Sequence, residues 1–334
     1  MKVGLKSYKL DRPVSIINSY SLVGPVETRG KLREFFDMSM EDDEWDCKSH
    51  EMAEIKMQKF VAEQLIKNSG LKKEDISAYL GGDLINQITA TSFAVRDIDV
   101  PFLGLYNACA TFGESLIIGS LLCQLDLEKV ICITSSHFAT AERQYRYPLE
   151  LGTQPTPESQ WTVTACGGVI LSKKCKIECP MVKSLTIGNV VDMGVTDANN
   201  MGMAMAPAAA DTIYNHFKEL NLKEDYYDLV ITGDLGKLGR DTVDYLLKDK
   251  GLDLSKSIND CGALIYDEKQ KKCQGGSGAG CSSAVFASYI YKNMINKNFK
   301  KVLLVPTGAL LSKDSPLQKE TIPAIAHAVA IEVN

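Results

Sequence analysis

The sequence predicts an α/β chain made of two similar halves. Three observations carry this. Short continuous apolar runs alternate with stretches of helical periodicity, the pattern of a sheet covered by helices on both faces. A set of landmarks then recurs in the same order in the second half of the chain, as an internal duplication requires. Finally, 334 residues, 45% of them hydrophobic, suffice for two units of about 150 residues, each with its own core.

The elements follow in chain order. A helix is expected over roughly Glu51 to Asn68, with Ile55, Phe60, Val61 and Leu65 on one face. Gly82-Asp83-Leu84 closes an apolar run, and Cys109 opens a second helix after a Gly-containing loop. That helix spans Thr111 to Leu125, with Leu116, Ile118, Leu121, Leu122 and Leu125 as its apolar positions. Val130 to Thr134 reads as a buried strand, and Gly167 to Leu171 ends the first half. The same series then repeats: the strand Leu229 to Thr232, Gly233-Asp234-Leu235, Cys281 after a Gly-rich turn, the strand Val302 to Val305, and Ala328 to Ile331. Lys129 and Lys301 lead their strands at the same distance from Cys109 and Cys281. The halves are therefore expected at residues 1–174 and 175–334, related by a pseudo-dyad. Met193 to Ala210 reads as a packing loop and helix start, and Glu41 to Glu44 as a solvated acidic loop.

Composition excludes several classes of function. The net charge of −5 comes from interspersed acids and bases, with no basic stripe for nucleic acid. No signal peptide is expected, and no apolar run reaches the ~20 residues of a membrane helix. The ten cysteines include no CxxC pair, and Cys175 and Cys179 lack partners for zinc. They read as small buried residues in a reducing compartment, with no metal site.

Cys109 is the first candidate for chemistry. At a helix start, amides and the positive dipole end favour thiolate, or could cradle a carboxylate. A nucleophilic cysteine needs a base. Of the four histidines, His50 lies in a charged segment, His216 on a polar helix and His327 in the last strand, whereas His137 ends a strand. A Cys109–His137 dyad is one reading; a buried structural cysteine is the other.

A cysteine at a helix start, duplicated α/β halves and a Gly-rich second-half turn resemble the thiolase superfamily, which includes the ketoacyl synthases. The resemblance covers nearly the whole chain and implies a thiolase-like, five-layered αβαβα fold. It equates the family's nucleophile with Cys109. It also implies a histidine near Gly233-Asp234-Leu235, a His or Asn in the turn Gly275 to Gly280, and in thiolases a second cysteine near Thr307-Gly308-Ala309. None is present in those segments. Losing one oxyanion donor typically costs on the order of 10²–10³ in rate, so Cys109 reads as a vestigial nucleophile without catalysis.

Gln144 to Pro148, Gln160 to Thr164, Val191 to Gly194, Ala204 to Ala209, Thr232 to Gly236 and Glu320 to Val329 resemble a narrower, non-catalytic branch of the superfamily found in spore-forming bacteria and active in stage V of sporulation. That resemblance implies binding of dipicolinic acid, free or with calcium, and no cofactor. It also implies membrane-protein partners from the stage V sporulation A operon at the forespore inner membrane, and a homodimer.

Dipicolinate is a flat ring with two carboxylates, so its site should offer hydrogen-bond donors, a cation and an apolar wall. The expected set is Cys109, Ala110, Thr111, Ser135, Ser136, His137, Arg143, Arg146 and Asp234, with Tyr145 and Tyr147 interleaved and Lys237 and Arg240 nearby. Asp192 and Asp197 are candidates to approach ligand-borne calcium. The rival reading is an acyltransferase acting on an acyl thioester; a third is a scaffold for a membrane complex.

Overall fold

The computed structural model describes residues 1–148 and 155–334. Ten strands form one continuous path: β1 (Ser7–Val23), β2 (Ala78–Gly82), β3 (Phe102–Gly104), β4 (Lys129–Ser136), β5 (Ala165–Ser172), β6 (Met181–Thr186), β7 (Leu229–Thr232), β8 (Ile258–Asp260), β9 (Lys301–Val305) and β10 (Ala328–Glu332). Their spatial order is β8-β7-β9-β10-β6-β1-β5-β4-β2-β3, with Met38–Ser39 added beside β1. Reading outward from the centre, β1-β5-β4-β2-β3 and β6-β10-β9-β7-β8 are the same sequence of elements. In each, the two inner pairings are antiparallel and the two outer ones parallel. The landmark repeat is thus a repeat of topology. The expected division near Lys174 falls in the connection between β5 and β6.

β1 joins the halves. Its first residues pair with β6 and its later ones with β5. The longer helices among the described residues dress the sheets: α1 (His50–Ser69), α2 (Thr89–Ile98), α3 (Thr111–Gln124), α4 (Met201–Leu220), α5 (Gly236–Asp249) and α6 (Ala279–Val285), which continues through a π-turn to Ile295. α1 and α2 pack together on the outer face of the first-half sheet, and α4 and α5 pack together on the second half. α3 and α6 touch each other and lie between the sheets. The result is five alternating helix and sheet layers.

Local chemistry explains the boundaries. Ser49 caps α1 by accepting from the Met52 amide, and Gly70 at φ 70° ends it, a left-handed stop that glycine adopts without steric cost. α1 buries Met57, Val61 and Leu65, one face at i, i+4, i+8, whereas Ile55 and Phe60 stay half-buried. α3 buries Phe112, Leu116 and Ile117 together with Gly113, Ser115, Gly119 and Ser120. Leu121 and Leu125, expected on its apolar face, are 39% and 74% exposed. A helix enclosed between two sheets needs small residues more than large ones. No described helix is long and apolar enough to cross a membrane.

Candidate functional site

The two halves meet at Cys109. Ala108, just before it, holds a left-handed φ of 47°, an uncommon conformation that marks a sharp turn. The Thr111 hydroxyl locks that turn, donating to the Ala108 carbonyl at 2.7 Å and accepting from the Asn107 amide at 3.0 Å. The amides of Ala110 and Thr111, candidates for cradling a ligand, donate instead to the carbonyls of Asn107 and Ala108. Cys109 itself is buried.

From the second half, Asp234 reaches the thiol. It follows β7 and is fully buried. Its carboxylate accepts from the Ser277 hydroxyl at 2.8 Å, the Gly278 amide at 3.1 Å and the Thr307 hydroxyl at 2.9 Å. Burial pushes the Cys109 thiol well above its ordinary pKa, and the Asp234 charge pushes it further; contacts with Ser277 and Gly278 only partly oppose this. The thiolate expected from a helix start is therefore not favoured. Desolvation and a neighbouring carboxylate outweigh the dipole of α3. Burial also raises the pKa of Asp234.

The other expected residues divide into two groups. Ser135, Ser136 and His137 face elsewhere. Ser135 donates to Glu54 at 2.7 Å and accepts from Gln58 at 2.8 Å. Ser136 donates to the Val163 carbonyl at 2.9 Å and accepts from the Gly280 amide at 3.1 Å. His137 uses one ring nitrogen on the Asp43 carbonyl and accepts the Ala139 amide on the other, with the His50 ring 5.1 Å away. Its pKa falls to about 4, chiefly through burial. Among the described residues no Cys109–His137 dyad is formed. His216 is likewise a buried core residue, bonded to Thr186 and Tyr227, and His327 contacts Asn107 at 3.1 Å.

Arg143 and Arg146 belong to the second group and line a cavity of about 540 Å³. Tyr145, Tyr147, Gln160, Ser277 and Lys313 share its wall. Ser277 links this cavity to Asp234, and through it to Cys109. A short parallel pairing of Trp161–Thr162 with Gly276–Ser277 sets Gln160 beside the Gly-rich turn. Tyr145 donates its hydroxyl toward the carbonyls of Ala309 and Leu311, at 3.0 and 3.1 Å, bracing the loop that carries Lys313. Arg146 donates to the Ala139 carbonyl at 3.1 Å, but its Nε is buried with no partner among the described residues. The Tyr147 hydroxyl and Gln160 Oε1 are in the same state. Buried polar atoms are nearly always satisfied, and three that lack a partner among the described residues belong to residues of this one wall, which makes it the candidate site.

Lys237 lies at a separate cavity. Arg240 pairs with Asp241 at 2.7 Å. Asp192 accepts from Thr321 and the Gly194 amide, and Asp197 from the Asn199 amide. No group of three or more His, Cys, Asp or Glu among the described residues is placed to hold a metal ion. Gln160, Ser277, Thr307 and Lys313 were not singled out from sequence as site residues. For Ser277, inside the Gly-rich turn, and Thr307, just after β9, that place was the available signal.

Comparison with known proteins agrees with this architecture. The chain is similar over its length to solved condensing enzymes, at identities that speak to fold alone. Against 3-oxoacyl-[acyl-carrier-protein] synthase III from Aquifex aeolicus the TM-score is 0.59, with 11% identity over 96% of this chain and 99% of that one. Against a variant of OleA from Xanthomonas campestris it is 0.63, with 12% identity over 97% and 99%. Human mitochondrial 3-ketoacyl-CoA thiolase gives 0.57, with 12% identity over 97% and 99%. The fold is thiolase-like. The chain is also 40% identical over 333 residues to Stage V sporulation protein AD of Bacillus subtilis (strain 168), covering 98% of this chain and 97% of that one. With residues 4–332 matching the model of that family, the chain belongs to the Stage V sporulation protein AD family.

Proposed function

We propose that the chain is a non-catalytic binding protein that holds dipicolinic acid, free or as its calcium chelate, in the cavity beside Cys109. The observation that carries this reading is the cavity wall. Arg143, Arg146 and Lys313 supply cations for a dianion, and Tyr145 and Tyr147 supply flat surfaces for a ring. Arg146 Nε and the Tyr147 hydroxyl, buried with no partner among the described residues, belong to two of these wall residues. Guanidinium matches a carboxylate in a way no other side chain does. The chemistry of Cys109 supports the absence of catalysis, since a thiol held beside a buried carboxylate is a poor nucleophile.

In this reading the protein acts in loading the developing spore, with membrane partners of the stage V sporulation A operon at the forespore inner membrane. It works as a homodimer, for which the edge strand β3 with Leu103, and Tyr106 just beyond its end, both nearly half exposed, offer an unpaired face.

The test is a calorimetric titration with dipicolinate, with and without calcium, on the native protein and on Arg146→Gln and Cys109→Ala. Saturable binding is expected, weakened on the order of 10–100-fold by Arg146→Gln, the value of a charged hydrogen bond. The absence of both heat and thermal shift under every condition would rule the ligand out.

A further inference from the structure

The connection between the two halves carries a group of sulfur atoms that the cavity does not use. From Ser172 at the end of β5 to Met181 at the start of β6 the chain reads SKKCKIECPM. This loop stands at the opposite end of β5 from Ala165, against which the Gly-rich turn packs. It is pinned to β1 at two points. The Lys176 amide donates to Ser15 Oγ at 2.8 Å, and the Pro180 carbonyl accepts from the Ile16 amide at 2.8 Å. Between these anchors the Cys179 amide donates to the Lys176 carbonyl at 3.0 Å, a turn that folds the second cysteine back toward the first. Cys175 Sγ lies 3.3 Å from Met181 Sδ. The two cysteines also feel each other. Burial raises the Cys179 thiol, Lys176 opposes this, and the charges of Glu178 and Cys175 add to it. Met181 is buried, Cys179 half-buried and Cys175 exposed, so the group opens to solvent on one side.

The donor set decides what could bind. Zinc takes thiolate, imidazole and carboxylate, and no third His, Cys, Asp or Glu joins the two cysteines among the described residues. The third donor here is a thioether, which is uncharged and soft. Thiolate and thioether together select cuprous copper. The spacing fits: with metal–sulfur bonds of about 2.3 Å, two sulfurs on one ion stand no more than about 4.6 Å apart. We infer that Cys175, Cys179 and Met181 form a three-sulfur site for a soft monovalent cation, cuprous copper by its chemistry. Binding displaces the two thiol protons to solvent and transfers no electron. The two thiolates and the cation leave one negative charge, which Lys176 faces. Because both anchors lie on β1, the strand shared by the halves, the bound ion clasps their junction. The site neither requires nor tests the dipicolinate reading.

The experiment is an anaerobic titration of the reduced, full-length protein with cuprous ion against a chromophoric chelator, followed by X-ray absorption at the copper edge. One ion per chain is expected, with sulfur neighbours only, and an equal concentration of zinc should not displace it. An outer partner of a metal site is typically worth about 10–100-fold in affinity, so loss of a ligand should cost no less. Cys175→Ser and Cys179→Ser should each weaken binding by that much. Met181→Leu, which conserves volume, should weaken it as well while leaving the melting temperature without copper within a degree or two. Cys47→Ser and Cys273→Ser, at the other half-buried thiols beyond this loop, should change nothing. Full affinity in Met181→Leu would reduce the site to a bare thiol pair and overturn the inference. So would binding that survives Cys175→Ser, or that is lost in Cys47→Ser or Cys273→Ser. No binding by the reduced protein, with a Cys175–Cys179 disulfide appearing in air by peptide mass, would make the pair a redox couple and overturn it too.

Discussion

At Cys109 two fields oppose each other. The first turn of α3 favours a thiolate, while burial and Asp234 favour the thiol, and the pKa is raised. The balance makes a residue-level prediction. In the native protein at pH 7.5, iodoacetamide should label exposed Cys175 and leave Cys109 unmodified, as read by peptide mass mapping. Asp234→Asn removes the charge, so Cys109 labelling should rise several-fold, while burial still holds it below Cys175. The same change should cost about 1–3 kcal/mol of stability, because the NH₂ that replaces one carboxylate oxygen cannot accept: an amide that keeps the bonds from Ser277 and Gly278 on its oxygen loses the one from Thr307. Native Cys109 labelling as fast as Cys175 would contradict the account. At this scale the position of Cys109 at the start of α3 was legible, but the state of its thiol was not, because the carboxylate of Asp234 that raises its pKa comes from the other half of the chain. Gln160 was not legible either, because the carbonyls that hold its amide stand 74 and 116 residues away in sequence.

At the scale of elements, the strands with continuous apolar runs were legible, and so were the helices beside them. β1 was not assigned, although it is the longest strand. Its sequence, SYKLDRPVSIINSYSLV, has no sustained apolar run or clean alternation. It is a strand because β5 and β6 flank it, a long-range cause. The face of α3 was misread for a related reason. Periodicity of large residues marks a helix with one dry side, whereas α3 is enclosed and uses glycine where neighbours crowd it. The glycines give the sharpest test. A Cβ on Gly280 would stand 2.1 Å from the Ala165 carbonyl oxygen, so α6 and β5 would have to separate. Gly280→Ala should cost about 3 kcal/mol or more. Gly194, at φ 79° with nothing within 4 Å, should lose only about 1 kcal/mol as alanine, the cost of its left-handed backbone. Urea midpoints of the two variants decide the matter; equal losses would mean that the close approach of the halves is not what Gly280 serves.

For the whole molecule, the unusual feature is the number of buried ionisable groups that the fold holds neutral. Burial raises Glu27 and Asp260 to about 7. It also raises the coupled Glu54 and Asp83, which lie in one network of hydroxyls and amides. Burial lowers His137 and His327 to about 4 and His216 to about 3. The two sets act with opposite sign. A carboxyl with a raised folded pKa binds its proton more tightly when folded, so its contribution is full below about pH 4 and is lost as pH rises through about 7. A histidine with a lowered folded pKa contributes above its unfolded value of about 6.5 and is lost as pH falls toward 4. Between about pH 4.5 and 6.5 the slopes largely cancel. Above 6.5 the carboxyl losses take over. From pH 6.5 to 8.5 Glu27 and Asp260 lose about 1.6 kcal/mol between them, the three histidines, still half protonated in the unfolded chain at 6.5, return about 1.2, and the raised Glu54–Asp83 pair makes the net change a fall. Denaturant midpoints taken across that range should therefore decline with pH, and Glu27→Gln should flatten part of the slope. A stability that stays level or rises from pH 6.5 to 8.5 would mean that these carboxyls ionise inside the fold at little cost, with water or cations reaching them.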